Sequence, residues 1–287
     1  MNIITISIIS LAIIGAVSAL ILYVISQYFK VDEDPRIDEV EKMLPGANCG
    51  GCGKSGCRNF AESCVKATSL EGMLCPVGGN KVMKEIAALL GREAHEAESR
   101  VAVVRCNGSC QHRPRTNSYE GAHNCAIAHT LYAGNTGCAY GCLGCGDCVS
   151  VCSLGAISID AATGLPVVDI DICGGCGACA RACPRNIIEV RKKGHNGRGV
   201  YVSCVNKDKG GVARKSCDVA CIGCGKCAKE CKFDAITIAN NLSYIDSDKC
   251  KMCRKCVDVC PTGAIIAVNF PPKKAVEVTA VEDKPQQ

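Results

Sequence analysis

Four runs of cysteine spaced C-x2-C-x2-C-x3-C stand beyond residue 140 of this 287-residue chain: Cys142/Cys145/Cys148/Cys152, Cys173/Cys176/Cys179/Cys183, Cys221/Cys224/Cys227/Cys231 and Cys250/Cys253/Cys256/Cys260. Thiolates so spaced hold three corners of an iron-sulfur cubane from one tight loop, while the fourth cysteine reaches across to the neighbouring cluster. The chemistry implied is one-electron transfer. The chain has 27 cysteines in all, so other uses of sulfur must be weighed. A disulfide scaffold suits a short secreted chain with an even cysteine count, and this chain is long with an odd one. Structural zinc takes two C-x2-C pairs across a longer gap and has no use for four evenly stepped cysteines repeated four times. Redox-active CxxC dithiols need a thioredoxin-like βαβ context, which is absent around these runs.

The cross-over rule assigns ligands as follows. One cluster takes Cys142, Cys145, Cys148 and Cys183, and its neighbour takes Cys173, Cys176, Cys179 and Cys152. A second pair takes Cys221, Cys224, Cys227 and Cys260, then Cys250, Cys253, Cys256 and Cys231. Self-comparison supports this grouping: Cys125, Cys138 and the whole first run recur, at one constant offset, as Cys204, Cys217 and the third run. The second run recurs as the fourth at an offset two residues shorter, with the deletion in the hairpin that includes 241–248. After the first run of each module comes a short apolar strand, Ala156–Ile159 or Ala235–Ile238, then a turn and a second strand. The second run ends Cys183-Pro184 or Cys260-Pro261, whereas Ser153 and Lys232 follow the first runs. The chain has duplicated a two-cluster, ferredoxin-like module.

A smaller site precedes the modules. Cys49, Cys52 and Cys57 lie on a glycine-rich loop, and Cys75 follows before Pro76. Together they make a fifth cluster set, in which glycines let backbone N–H groups approach sulfur. Gly53-Lys54-Ser55 resembles the end of a phosphate-binding loop, but the first glycine of that motif would fall at Asn48, so the match fails. Pro35–Leu44 and Arg58–Ala67 read as helices, with Cys64 a buried small hydrophobe inside the second. Cys106, Cys110, Cys125 and Cys138 remain, at spacings that match no simple rule. Four leftover cysteines make a set, and the expected use is a sixth cluster, with zinc or reduced thiols as the alternatives. The repeat cuts against it, since nothing in the second module echoes Cys106 and Cys110, and Cys204 and Cys217 are left without a metal.

These sites need elements to hold them. Ile3–Phe29 is apolar and uncharged, long enough at 1.5 Å per residue to cross a hydrocarbon core of about 30 Å. It lacks the basic n-region of a signal peptide and is too long for an h-region, so it reads as an uncleaved anchor. Clusters need free thiolates and a reducing compartment, which puts the rest of the chain on the cytoplasmic side of the membrane. The fold expected is α+β: an anchor over 1–29, a linker helix and N-terminal cluster domain over 30–90, and a connecting segment over 91–137. Two ferredoxin-like modules follow over 138–200 and 201–268, then a disordered tail over 269–287. With no Trp and four Phe, a large aromatic core is excluded, and clusters must supply part of the folding energy. The formal charge of +5 counts cysteine as neutral, and loaded clusters turn the protein acidic. Basic groups at Arg191, Lys192, Lys193 and Arg198, and at Lys207, Lys209, Arg214 and Lys215, balance that charge or steer an acidic carrier. No aromatic platform interleaves them, so nucleic acid is not an expected partner.

An N-terminal apolar helix, the loop Leu44-Pro45-Gly46-Ala47-Asn48-Cys49-Gly50-Gly51-Cys52-Gly53 with Cys57 and Cys75, and ferredoxin modules behind it resemble the B subunit of Rnf-type ion-translocating oxidoreductases. The resemblance runs to about residue 268 and is nearest to long versions, which carry a segment like Val104-Arg105-Cys106-Asn107-Gly108. In some long versions the position of Cys145 holds a non-ligand. The resemblance implies a subunit of an enzyme complex that takes electrons from soluble reduced ferredoxin and passes them to other membrane subunits, which reduce NAD⁺ with Na⁺ or H⁺ translocation. The chain itself has no nucleotide loop, flavin site or acid–base pair, and no charge in 3–29 to conduct an ion. A membrane-tethered polyferredoxin serving a hydrogenase or redox-sensor reducing system is the alternative.

Overall fold

The computed structural model describes residues 3–28, 33–131 and 134–271; the expected disordered tail lies outside the described residues from 272 on. Helix α1 (Ile3–Tyr28) is apolar on every side, so it has no face to turn toward a core, and its described side chains are all exposed. Its segment Ile8–Tyr28 is long and apolar enough to cross a membrane.

Three helices form the N-terminal domain: α2 (Arg36–Met43), α3 (Cys57–Lys66) and α4 (Gly79–Leu90). Each is amphipathic, and their apolar stripes meet in a core that includes Val40, Phe60, Cys64 and Ile86. Cys64 is buried there as a small hydrophobe. Arg92, just beyond α4, donates to the carbonyl oxygens of Cys64 and Val65 and so closes the end of α3.

The rest is two copies of one plan. The first holds β1 (Arg100–Val104), α5 (Cys125–Leu131), α6 (Asp147–Ser150), β2 (Ile157–Ile159), β3 (Pro166–Val168), α7 (Ala178–Ala182) and β4 (Ile188–Lys192). The second holds β5 (Gly199–Val202), α8 (Gly210–Ser216), α9 (Lys226–Glu230), β6 (Ile236–Ala239), β7 (Leu242–Ile245), α10 (Lys255–Asp258) and β8 (Ile265–Val268). In each copy the outer strands pair antiparallel, Arg100 opposite Lys192 and Gly199 opposite Val268, and the inner strands form a hairpin. The deletion between copies falls at the hairpin tip, where Asn240 and Asn241, both at positive φ, close β6–β7 in two residues.

This plan differs from the sequence reading of 91–137 as a connector. Strand β1 lies inside that segment and pairs along its length with β4, so the first copy opens at residue 100. A five-residue strand far from any evenly spaced cysteine carries no ligand signal, which is why spacing passed it by. The copies also align differently before their first cysteine runs. Arg105 N donates to Ile187 O at 2.8 Å, and Ser203 N donates to Ala264 O at 2.8 Å. Ile187 and Ala264 are repeat equivalents, so Arg105 corresponds to Ser203 and Cys106 to Cys204. Each of these cysteines stands two residues past the end of its copy's first strand.

The copies are joined by a polar seam. The Glu189 carboxylate accepts from Arg105 and Arg191 at 3.3 Å each and from the Tyr244 hydroxyl at 2.6 Å. Both guanidinium groups lie over the Tyr244 ring, at 5.1 and 5.0 Å. Arg191, one of the basic groups expected to balance cluster charge or steer an acidic carrier, is 6% exposed and belongs to this seam.

Candidate metal centres

Each cysteine run folds alike for a local reason. The residue before the helix takes a left-handed conformation (Gly146 φ 88°, Gly177 φ 75°, Gly225 φ 79°, Arg254 φ 66°), turning the loop sharply into α6, α7, α9 or α10. The third cysteine of each run, Cys148, Cys179, Cys227 or Cys256, then lies in the first helical turns and is buried. The fourth lies at or just past the helix end, which sends it toward the companion loop.

That geometry brings together thiols from different runs. Cys148 is a close electrostatic neighbour of Cys183, Cys179 of Cys152, and Cys250 of Cys231. Cys221, Cys224, Cys227 and Cys260 line one hollow. In the N-terminal domain Cys75 neighbours Cys52 and Cys57. Backbone amides point at sulfur, including Gly78 N to Cys75 Sγ at 3.4 Å, Met252 N to Cys250 Sγ at 3.4 Å and Ala102 N to Cys173 Sγ at 3.5 Å.

Burial first, and then repulsion between neighbouring thiols, pushes Cys142 and Cys256 up to about 12, and burial pushes Cys148 and Cys179 up to about 11. Free thiols there stay protonated at neutral pH. A coordinated metal takes those protons, because its charge outweighs desolvation. Inward-facing sulfurs with amide donors fit an iron-sulfur cluster. Among the described residues no three Cys, His, Asp or Glu side chains close tightly enough around one point to hold a single ion.

The leftover cysteines are distributed differently from the sequence expectation. Cys106, Cys110, Cys125 and Cys138 are not brought together. Cys110 is exposed, its Sγ 3.5 Å from Ala162 O. Cys125 opens α5, its N–H donating to Asp147 Oδ1 at 2.8 Å, and its thiol stands beside Cys145 and Cys148. The first run of the first module therefore has a fifth thiol at hand: Cys125, Cys142, Cys148 and Cys183 line one hollow, while Cys145 faces Cys125. Cys106 and Cys138 lie elsewhere, in a hollow shared with Cys204 and Cys217. Sequence reasoning also missed Asn48, whose Oδ1 accepts from Cys57 N at 2.8 Å and caps α3. The failed phosphate-loop match had already singled out that residue.

The sites abut. An added Cβ on Gly51 would stand 2.7 Å from Cys176 Cβ, and Arg181 Nη2 donates to Cys49 O at 3.1 Å, so the N-terminal domain rests on the second run. Cys148 neighbours Cys179 across the first module, and Cys227 neighbours Cys256 across the second.

Known proteins share this layout. The model for the 4Fe-4S dicluster domain matches residues 141–187 and 220–264, and that for a putative Fe-S cluster matches 44–76. The chain is 45% identical to the B subunit of the Na(+)-translocating ferredoxin:NAD(+) oxidoreductase complex of Acetobacterium woodii, over 89% of this chain and 75% of that one. It is 42% identical to the proton-translocating counterpart of Clostridium ljungdahlii, over 93% of this chain and 94% of that one. It is also 42% identical to the B subunit of the ion-translocating oxidoreductase complex of Methanosarcina acetivorans, over 90% and 96%. A membrane-length helix, an Fe-S domain, two dicluster domains and this identity along most of its length place the chain in the family of B subunits of Rnf-type ion-translocating ferredoxin:NAD oxidoreductase complexes.

Proposed function

We propose that this chain takes electrons from reduced soluble ferredoxin at its second module and carries them through [4Fe-4S] clusters to other subunits of a membrane complex that reduces NAD⁺. The observation that carries the reading is the abutment of the cysteine sites within each module and against the loop of Cys49, with Cys204 beside Cys221 and Cys106, and Cys106 beside Cys142, between the modules. Four cluster sets take the ligands assigned above by the cross-over rule and a fifth takes Cys49, Cys52, Cys57 and Cys75, and α1 anchors the chain in the lipid bilayer with the clusters in the reducing cytoplasm.

Charge supports the direction. The ligand loops of the second module carry exposed Lys226, Lys229, Lys232, Lys249, Lys251 and Lys255, with Cys224 and Cys253 themselves exposed. Between their first and last cysteines, the second module's loops hold Lys226, Lys229, Lys251, Arg254 and Lys255 against Glu230 and Asp258, whereas the first module's hold only Asp147 and Arg181. A basic rim around exposed cluster thiols attracts an acidic carrier and speeds its encounter, and salt screens that attraction.

The test is ferredoxin-dependent NAD⁺ reduction by the solubilised complex, with Lys249, Lys251 and Lys255 changed together to Glu. The expected result is a several-fold rise in the KM for ferredoxin and a flattened salt dependence. Activity that ignores ferredoxin would sink the reading, and an unchanged salt profile would remove the second module as the entry point.

A further inference from the structure

We infer that Cys106, Cys138, Cys204 and Cys217 are the ligands of a sixth [4Fe-4S] cluster, built at the seam between the two modules with two thiolates from each. The set follows from the architecture. Cys106 and Cys204 are equivalent, each two residues past its copy's first strand. Cys138 and Cys217 are equivalent too, each four residues ahead of its copy's first run. Two equivalent pairs facing one hollow form a site related by the duplication itself, which neither copy can complete alone.

Its surroundings are those of a built anionic site. Cys138, Cys204 and Cys217 are buried. Asn206, 1% exposed, points Nδ2 at Cys138 Sγ (3.7 Å) and its backbone N–H at Cys204 Sγ (3.5 Å). Backbone amides of Cys221 and Val219 bond the sulfurs of Cys204 and Cys217. Arg113, 8% exposed, lines the hollow, and its Nε is buried without a partner. Arg105 and Arg185 stand beside Cys204 and Cys138. The buried Arg113 and the N–H donors aimed at Cys138, Cys204 and Cys217 make a positive field at this hollow, and a thiolate-ligated cluster matches it. Zinc would need sulfurs about 3.8 Å apart at Zn–S of about 2.3 Å; no three such ligands among the described residues are gathered closely enough for one ion.

The position gives the cluster its task, which rests on the electron-relay reading above. Cys106 neighbours Cys142 of the first module, and Cys204 neighbours Cys221 of the second. Held by these four thiolates, a cluster would pass single electrons from the reduced cluster on the Cys221 side, oxidising it, to the oxidised cluster on the Cys142 side, reducing it. No bond changes and no proton moves.

The test uses the full-length chain, purified in detergent without oxygen and assayed for iron, acid-labile sulfide and zinc. Wild type should hold about 24 iron atoms, and Cys138→Ala/Cys217→Ala should lose about four iron and four sulfide per chain, one cubane's worth, while Cys110→Ala loses none. An unchanged iron count in the double variant, or zinc in the wild type at one per chain, would overturn the site. Should the double variant fail to fold, Cys106→Ser replaces one sulfur by oxygen and should shift the EPR signal of a single cluster; an unaltered spectrum would also overturn the site. In the intact complex the double variant should let ferredoxin reduce second-module clusters at the normal rate but slow reduction of the Cys49 cluster at least tenfold. An unslowed Cys49 cluster would overturn the bridging role. Loss of all ferredoxin-dependent reduction in the wild-type complex would instead strike the electron-relay reading and leave the iron count untouched.

Discussion

One position recurs in all four ligand loops, immediately before the second cysteine, and it sets up a graded experiment. Gly144, Gly175, Gly223 and Met252 occupy it at φ +76°, +69°, +64° and +56°. A β-carbon at such φ costs about 1 kcal/mol, and Met252 shows that the loop accepts one where there is room. The room differs. An alanine Cβ at 144 would lie 3.3 Å from Gly164 O, whereas at 223 it would lie 2.6 Å from Asn241 O and at 175 only 2.5 Å from Arg100 O. The last two neighbours are backbone, held in the β6–β7 turn and in β1, and cannot swing aside. Gly144→Ala should therefore cost about 1 kcal/mol, and Gly175→Ala and Gly223→Ala about 2–4 kcal/mol once a core-type clash of about 1–3 is added. A loss of about 3 kcal/mol is roughly a hundredfold in the occupancy equilibrium. The assay is retained iron and visible absorbance during a urea titration of anaerobic full-length protein. Gly144→Ala should track wild type closely, while the other two release the cluster of their own loop at lower urea. Equal damage from all three would show that φ alone decides, and the clash argument would be wrong.

Other outcomes follow from single contacts. Arg92→Met removes the donors that hold the carbonyls of Cys64 and Val65, a loss of about 1–2 kcal/mol that should lower the apparent melting temperature by a few degrees; an unchanged melt would show that water replaces the guanidinium at no loss. Burial raises the Cys64 thiol from 9.0 to about 11, so its neutral form is favoured in the fold. The stability this confers is full below about pH 9 and is lost as pH rises through about 11. The stability difference between wild type and Cys64→Ala should therefore shrink over that window, and parallel urea-midpoint curves would refute it. Removing residues 1–32 should release the chain from membranes with its iron unchanged, and a truncated chain that still pellets with membranes would end the anchor reading.

The cysteine runs, the helical character of 36–43 and 57–66 and the burial of Cys64 were legible because each rests on local spacing: ligand steps or helical period. The seam was not. The constant offset paired Cys125 with Cys204, yet the strand hydrogen bonds pair Cys106 with Cys204, because the first copy has extra residues between β1 and its cysteine run. An insertion changes sequence distance without changing place in the fold, so self-comparison reported the wrong partner. Arg191 misled for a related reason: its neighbour Lys192 reaches out to Glu98 and Asp248, while the period-2 alternation of β4 turns Arg191 to the other face, toward Tyr201 and Tyr244.

The seam of Arg105, Glu189, Arg191 and Tyr244 has a mechanical meaning as well. Two first-module guanidinium groups stacked on the Tyr244 ring of the second, with the Tyr244 hydroxyl bonded to Glu189 and Arg105 bonded to the carbonyls of Val202 and Cys204, leave the modules little freedom to hinge, since opening them would break these contacts together. Carriers whose domains swing between donor and acceptor slow down in thickened solvent, because each turnover waits on a diffusive stroke. A chain clasped in this way has no such stroke at its midpoint. Passage between its halves should proceed at the same rate in glycerol as in buffer, leaving the arrival of ferredoxin as the step that feels viscosity.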